Sequence, residues 1–226
     1  MKTELTDLIE KHIHAIAKDM RLIGIKLRED KLFLESILIF DAASTLSEKI
    51  ENPVERLDMI RFCVQGMKDT NKAIISDNAN MKVIVKEYVI PLMRDKLHDI
   101  ESTSSVSEQY KCLHVCRVLH YIQFSQYWVD QPKQREQTLR DAKQRMDEVF
   151  GDNKIKHQVY GTLLNNLGLV SLMTFRHKEA VSFFKQALGA FKAATDYDDE
   201  EVRKYDTELY ESGLKIAQQQ IRWIVM

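Results

Sequence analysis

Apolar residues recur every three or four positions along almost the whole chain, and the polar breaks between those runs predict about nine helices. The first, over 3–26, aligns Leu5, Leu8, Ile9, Ile13, Ile16, Met20 and Ile23 in one stripe. After the charged turn LREDK, a second over 30–49 repeats the pattern with Leu34, Ile37, Leu38, Ala42 and Leu46. So short a connection makes the two helices antiparallel neighbours. Asn52-Pro53-Val54-Glu55 marks the start of the third: Asn can accept from unbonded backbone N–H groups, proline has no N–H to leave unbonded, and the glutamate can reach back to the cap. That helix runs to about 75 through Leu57, Ile60, Val64 and Met67, and stops at the turn-forming SDNAN over 76–80.

The fourth helix, 81–100, contains VIVKEYVI, β-branched enough to pass locally for a strand, and Pro91, which must kink or interrupt it. The Ser-rich stretch 101–107 reads as a linker, with Ser105 and Glu108 at capping-box spacing, and a fifth helix follows over 106–128. The sixth covers 132–150 and ends in Gly151-Asp152-Asn153, a left-handed cap and turn. The seventh and eighth, 155–174 and 178–194, form a further hairpin. The ninth, 200–223, carries Val202, Leu209, Leu214 and Ile216 among many polar residues, a composition suited to a solvating cap on a helical stack.

Within the seventh and eighth helices, Leu164, Leu167, Gly168, Ala180, Phe184 and Ala187 have the spacing of a helical hairpin whose two helices approach where small residues sit at the crossing. These positions resemble one tetratricopeptide repeat (TPR). The sequence departs from that pattern at Leu164, Ser171 and Lys192, where the family usually has Trp, Tyr and Pro. A fainter echo lies at Ile23, Gly24, Ser36, Phe40 and Ala43, displaced by 168 − 24 = 144 residues. That distance is not a multiple of the roughly 34-residue repeat, so the hairpins between must be longer or irregular. The resemblance implies an all-α, right-handed superhelix of antiparallel hairpins with a C-terminal capping helix. It also implies that the first helices of successive hairpins line a concave groove for a peptide or partner helix.

On that groove the resemblance places Asn165, Asn166 and Leu169, the amides offering donors and acceptors to a bound backbone. Asn166 falls where family members that clamp a chaperone tail carry Asn, two residues before the glycine. Gly24, however, is followed by Ile25 where such a clamp wants Asn, so chaperone-tail binding is not supported. The fifth helix holds the densest aromatic patch, with Tyr121, Phe124 and Trp128 on one face and Tyr127 off it as the member expected to be exposed.

Charge narrows the partners. With 33 Lys plus Arg against 34 Asp plus Glu and no long basic run, neither nucleic acid nor an anionic membrane surface is expected. No run approaches the roughly 20 apolar residues of a membrane span. The N-terminus lacks the apolar core of a signal peptide. Three cysteines fit a reducing compartment, the cytoplasm by default with the nucleus also open.

Cys112, Cys116 and His120 share a face, yet the outer two are about 12 Å apart along a helix axis, too far for one zinc. No metal or cofactor is expected. His12 and His14, two residues apart, point to different faces, and no phosphate loop, nucleophile elbow or HExxH motif is present. The expectation is a single helical domain over 1–226, with 1–101 and 106–226 as sub-units, acting as a non-catalytic adaptor or scaffold for a protein or peptide. Two alternatives stand beside it: a bundle that binds a small ligand or metal around Cys112, Cys116 and His120, and a structural subunit that forms a homodimer by burying the aromatic patch or the apolar tail 221–226.

Overall fold

The computed structural model describes residues 2–197 and 199–225, and the side chains of 11–197 and 199–221. Leu5, Leu8 and Ile9, and the tail beyond Ile221, lie outside the described side chains. The described residues are helical with no strand among them. In chain order the helices are α1 (Lys2–Glu29), α2 (Phe33–Ser47), α3 (Pro53–Asp77), the short α4 (Lys82–Ile84), α5 (Ile90–Ser102), α6 (Glu108–Trp128), α7 (Pro132–Phe150), α8 (Gln158–Met173), α9 (His177–Ala193) and α10 (Glu200–Val225). The chain divides into two compact units, Met1–Arg135 and Glu136–Met226. The Ser-rich stretch 101–107 lies inside the first.

Local chemistry sets most helix ends. Asn52 caps α3 by accepting from the Val54 and Glu55 N–H groups, with Pro53 at the first helical position. α6 is capped by Ser107, which accepts from Tyr110 N–H at 3.2 Å, rather than by Ser105; this puts Glu108 in the first turn, where the helix dipole favours a negative charge. Gly151 takes the left-handed conformation (φ 51°) expected of it, but opens a 3-10 segment, Gly151–Lys156, so α8 begins later than its sequence pattern suggests. Its first turn is capped from a distance: Asp196 accepts from Gln158 N–H at 2.6 Å. The Pro91 problem is solved by a π turn, Val85–Val89, in which the Ile90 N–H reaches back five residues to Val85, leaving Pro91 at the start of α5.

Three helix pairs turn in the same way. Lys31, Asp130 and Phe175 are left-handed (φ 62°, 56° and 60°), and the N–H groups of Leu32, Gln131 and Arg176 bond back to the carbonyls of Leu27, Gln126 and Ser171 at 2.8, 3.0 and 2.8 Å. This is the Schellman closure, which satisfies carbonyls that the helix end would leave open.

Each unit also repeats one packing device. In the first, α2 packs between α1 and α3, and Phe40 lies against Gly24 and Gly66; a Cβ on those glycines would come within 3.0 and 2.4 Å of the ring. In the second, α9 packs between α8 and α10, and Phe184 lies against Gly168 and Gly213, where a Cβ would come within 2.9 and 2.7 Å. The offsets agree: 40 − 24 and 184 − 168 are both 16, and 31 − 24 and 175 − 168, glycine to turn, are both 7. Ser36, at the Ala180 position, bonds its hydroxyl to the Gly24 carbonyl at 2.8 Å, so a buried polar atom is satisfied at the crossing.

The same count from Asp130 reaches Gln123, and 12 residues on, Arg135, just as 36 − 24 and 180 − 168 are 12. Gln123 and Arg135 are 0% and 4% exposed, and the Arg135 Nε–H donates to Gln123 Oε1 at 2.8 Å. A polar, hydrogen-bonded pair thus stands at the offsets that glycine and a small residue occupy in the other two hairpins. Leu139 and Ala142, at the Phe and second Ala offsets, are both 0% exposed.

One expectation about facing is corrected. Ile16 and Ile23 of the predicted α1 stripe are half exposed, while Ala17 and Gly24 beside them are buried. The helix turns its small residues inward because the Phe40 ring needs that space. Leu34 and Leu38 of α2 point outward too, and Ser36, Ile37, Phe40, Ala43, Ser44 and Ser47 form the buried side.

Candidate interaction surface

α8 is covered by α9 and α10, so little of it is open. Asn165 and Asn166 are each 4% exposed, and the Asn166 side chain donates to the Thr162 carbonyl at 2.8 Å. Leu169 is partly buried against the cluster of Ala180, Phe184 and Ala217. A ligand running along α8 would meet Thr162 and Leu169 before either amide.

The thiols of α6 and the His114 imidazole are also interior, and His120 is half-buried. Cys112 and Cys116 are buried with their sulfurs 3.9 Å apart, and His120 stands edge-on to Phe124 at 4.9 Å. Among the described residues no group of three or more His, Cys, Asp or Glu side chains is arranged to hold a metal ion. His114, 2% exposed, lies 3.7 Å from Asp58, to which Tyr110 donates at 3.2 Å. Burial pushes His114 down to about 4 in spite of Asp58, and burial together with Lys68 and Arg135 pushes His120 down to about 3.

A measurable pH dependence results. An imidazole in the unfolded chain titrates near ~6.5, so between that value and the folded one the unfolded state binds the extra proton and stability falls as pH falls. At pH 5 the penalty for His114 alone is about 2 kcal/mol, with His120 adding in the same direction. Urea midpoints at pH 7 and pH 5 should differ accordingly; equal midpoints would show that these imidazoles are not held neutral.

The charged groups with the shortest contacts are engaged in ion pairs. In the second unit Arg176 grips both oxygens of Glu136 at 2.9 and 2.6 Å, while Arg140 spans Glu136 and Glu179 at 2.7 and 2.9 Å. Arg176 above all, with Arg140, holds the Glu136 carboxyl below its ordinary range.

The first unit is different at its α4–α6 corner. Lys82 pairs with Asp130 at 2.6 Å, tying the start of α4 to the turn that follows α6. On those two segments Tyr88, Val83 and Tyr127 are 70%, 63% and 41% exposed. The Arg135 guanidinium lies 4.7 Å from the Tyr127 ring centre and Trp128 stands edge-on at 5.3 Å. Arg135, fixed by Gln123, therefore supports the ring from beneath while its outer side faces water. Tyr127 is exposed as its off-stripe position suggests. Val83 and Tyr88 were not legible as surface, because a β-branched run reads as core and the π turn that carries Tyr88 has no local sequence signature beyond Pro91.

Neither a protein-family model nor a curated protein matches the chain. No helix among the described residues is long and apolar enough to cross a membrane.

Proposed function

We propose that the chain is a TPR-like stack of helical hairpins that works as a non-catalytic adaptor, holding a peptide or partner helix on its surface. The observation that carries this reading is the Gly–Phe–Gly packing found in both α1–α2–α3 and α8–α9–α10, with the first glycine and the phenylalanine 16 residues apart in each, and Gln123 and Arg135 at the corresponding positions around the α6–α7 turn. Regular crossings of this kind make a rigid support, and in the proposed superhelix the successive first helices would be α1, α3, α6 and α8. Groups able to do chemistry are instead engaged in packing: the thiols are interior, Lys96 is surrounded by carboxylates, and Arg140 and Arg176 grip glutamates. Buried thiols suit the reducing cytoplasm, or the nucleus.

The partner contact is assigned to Tyr88, Val83 and Tyr127, because exposed aromatics on a fixed support are the usual anchors of an interface. Leu169 is the one member of the α8 set that is not fully buried. Asn165 and Asn166 act first on packing, so changing both to alanine should lower stability before it alters recognition.

The test is capture of a partner from extract, followed by direct titration of the purified partner with wild type and Tyr88→Ala plus Tyr127→Ala. Loss of two anchors should weaken binding by about 30-fold or more, at about 2 kcal/mol for a strong anchor, with melting unchanged. An affinity unaltered by both substitutions would place the contact elsewhere. Turnover of a small molecule by the purified chain would overturn the adaptor reading itself.

A further inference from the structure

A surface helix is ordinarily polar on the side away from its core. α10 is not. Its inner face, with Tyr210, Gly213 and Ala217 buried, packs on α9. On the other side Val202, Tyr205, Leu209 and Ile216 are 44%, 65%, 47% and 46% exposed. With Ser212 they fall at heptad spacing, Val202, Leu209 and Ile216 in one core position and Tyr205 and Ser212 in the other. A second apolar seam on one helix calls for a second partner.

The residues flanking that seam say which. One flank, Asp206 and Gly213, is turned toward the helix's own unit: Asp206 accepts from Tyr197 and Gln158, and Gly213 meets Phe184. The open flank reads Glu201, Glu208 and Lys215 in sequence, acidic first and basic after. Side by side in parallel, this flank would have to face the Asp206–Gly213 flank of the second copy, which is turned toward that copy's own unit. Reversed, a single register sets Glu208 opposite Lys215, Tyr205 opposite Ile216, and Leu209 opposite the small Ser212, each pair occurring twice by symmetry.

We propose that α10 is a self-association helix, through which two copies of this chain pair in antiparallel fashion along the Val202–Ile216 seam. The inference does not depend on the adaptor reading, since it rests on α10 alone.

Sedimentation equilibrium of the full chain, from about 1 to about 200 μM, tests it directly. The wild-type mass should rise from 26.4 kDa toward twice that value. Lys215→Glu and Glu208→Lys should each weaken association about tenfold or more, because two symmetric pairs become repulsive, and the double exchange should restore it. Leu209→Asp should leave a monomer. These side chains are exposed, so each variant should keep the wild-type circular dichroism and melting temperature. A wild type that stays at 26.4 kDa throughout, a dimer that survives Leu209→Asp, or a double exchange no better than its single parents would overturn the proposal.

Discussion

Gly66→Ala is expected to lower the stability of the chain by about 2–3 kcal/mol, although alanine is the better helix former by roughly 1 kcal/mol. The new methyl would stand 2.4 Å from the Phe40 ring, and both residues are fully interior. The ring cannot retreat, because Gly24 closes its other side with a clearance of 3.0 Å for the same atom. Overpacking in a close-packed interior forces side chains off their rotamers or shifts the backbone, and here it outweighs the propensity gain. The compensating change identifies the cause: Phe40→Leu alone should destabilise by opening a cavity, whereas in the Gly66→Ala background it should recover part of the loss. Gly189→Ala supplies the opposite sign, since a Cβ there meets nothing within 4 Å and the residue is helical. Chemical denaturation of the four Gly66 and Phe40 combinations checks this, and strictly additive effects would show that the two do not share one space.

Lys96→Met is expected to cost about 2–4 kcal/mol, as removal of one member of a buried charge network leaves the others uncompensated. Lys96 is 7% exposed, donates to Thr45 at 3.0 Å, and lies 3.4, 3.5 and 3.7 Å from Asp41, Glu48 and Asp99. Burial alone would lower its pKa, but the carboxylates of Asp41, Asp99 and Glu48 outweigh that effect and hold it above the ordinary lysine value. A raised lysine pKa stabilises the fold below the unfolded value near ~10.4, and that contribution is lost as pH climbs through the folded value. Wild type should therefore lose stability at strongly alkaline pH more steeply than Lys96→Met. Parallel stability curves for the two proteins between pH 9 and pH 11 would contradict this assignment.

The existence of the helices was legible because periodicity of three to four dominates the chain, and the Asn52-Pro53 start and the Gly151 stop announce themselves by residue type. The facing of α1 was not, since its apolar row and its Ala17–Gly24 row lie side by side, and only the Phe40 ring, from another helix, decides between them. The glycine crossing at 168 carried its own signature, whereas the equivalent positions 123 and 135 did not, because Gln and Arg occupy them with a hydrogen bond that no small-residue pattern predicts. Asn165 and Asn166 read as surface by composition, yet their helix is covered by two neighbours and their amides are interior. Tyr127 was legible as exposed from its offset to the apolar stripe, while Tyr88 depended on a π turn that compensates for Pro91.

The adaptor reading makes its most direct prediction for amide hydrogen exchange, measured on the chain alone and saturated with its purified partner. Slowed exchange should concentrate in 82–89 and 126–131, the two segments that carry Val83, Tyr88 and Tyr127, while α8 and its buried asparagines stay unchanged. Protection confined to other helices, with those two segments exchanging as they do in the free chain, would contradict it.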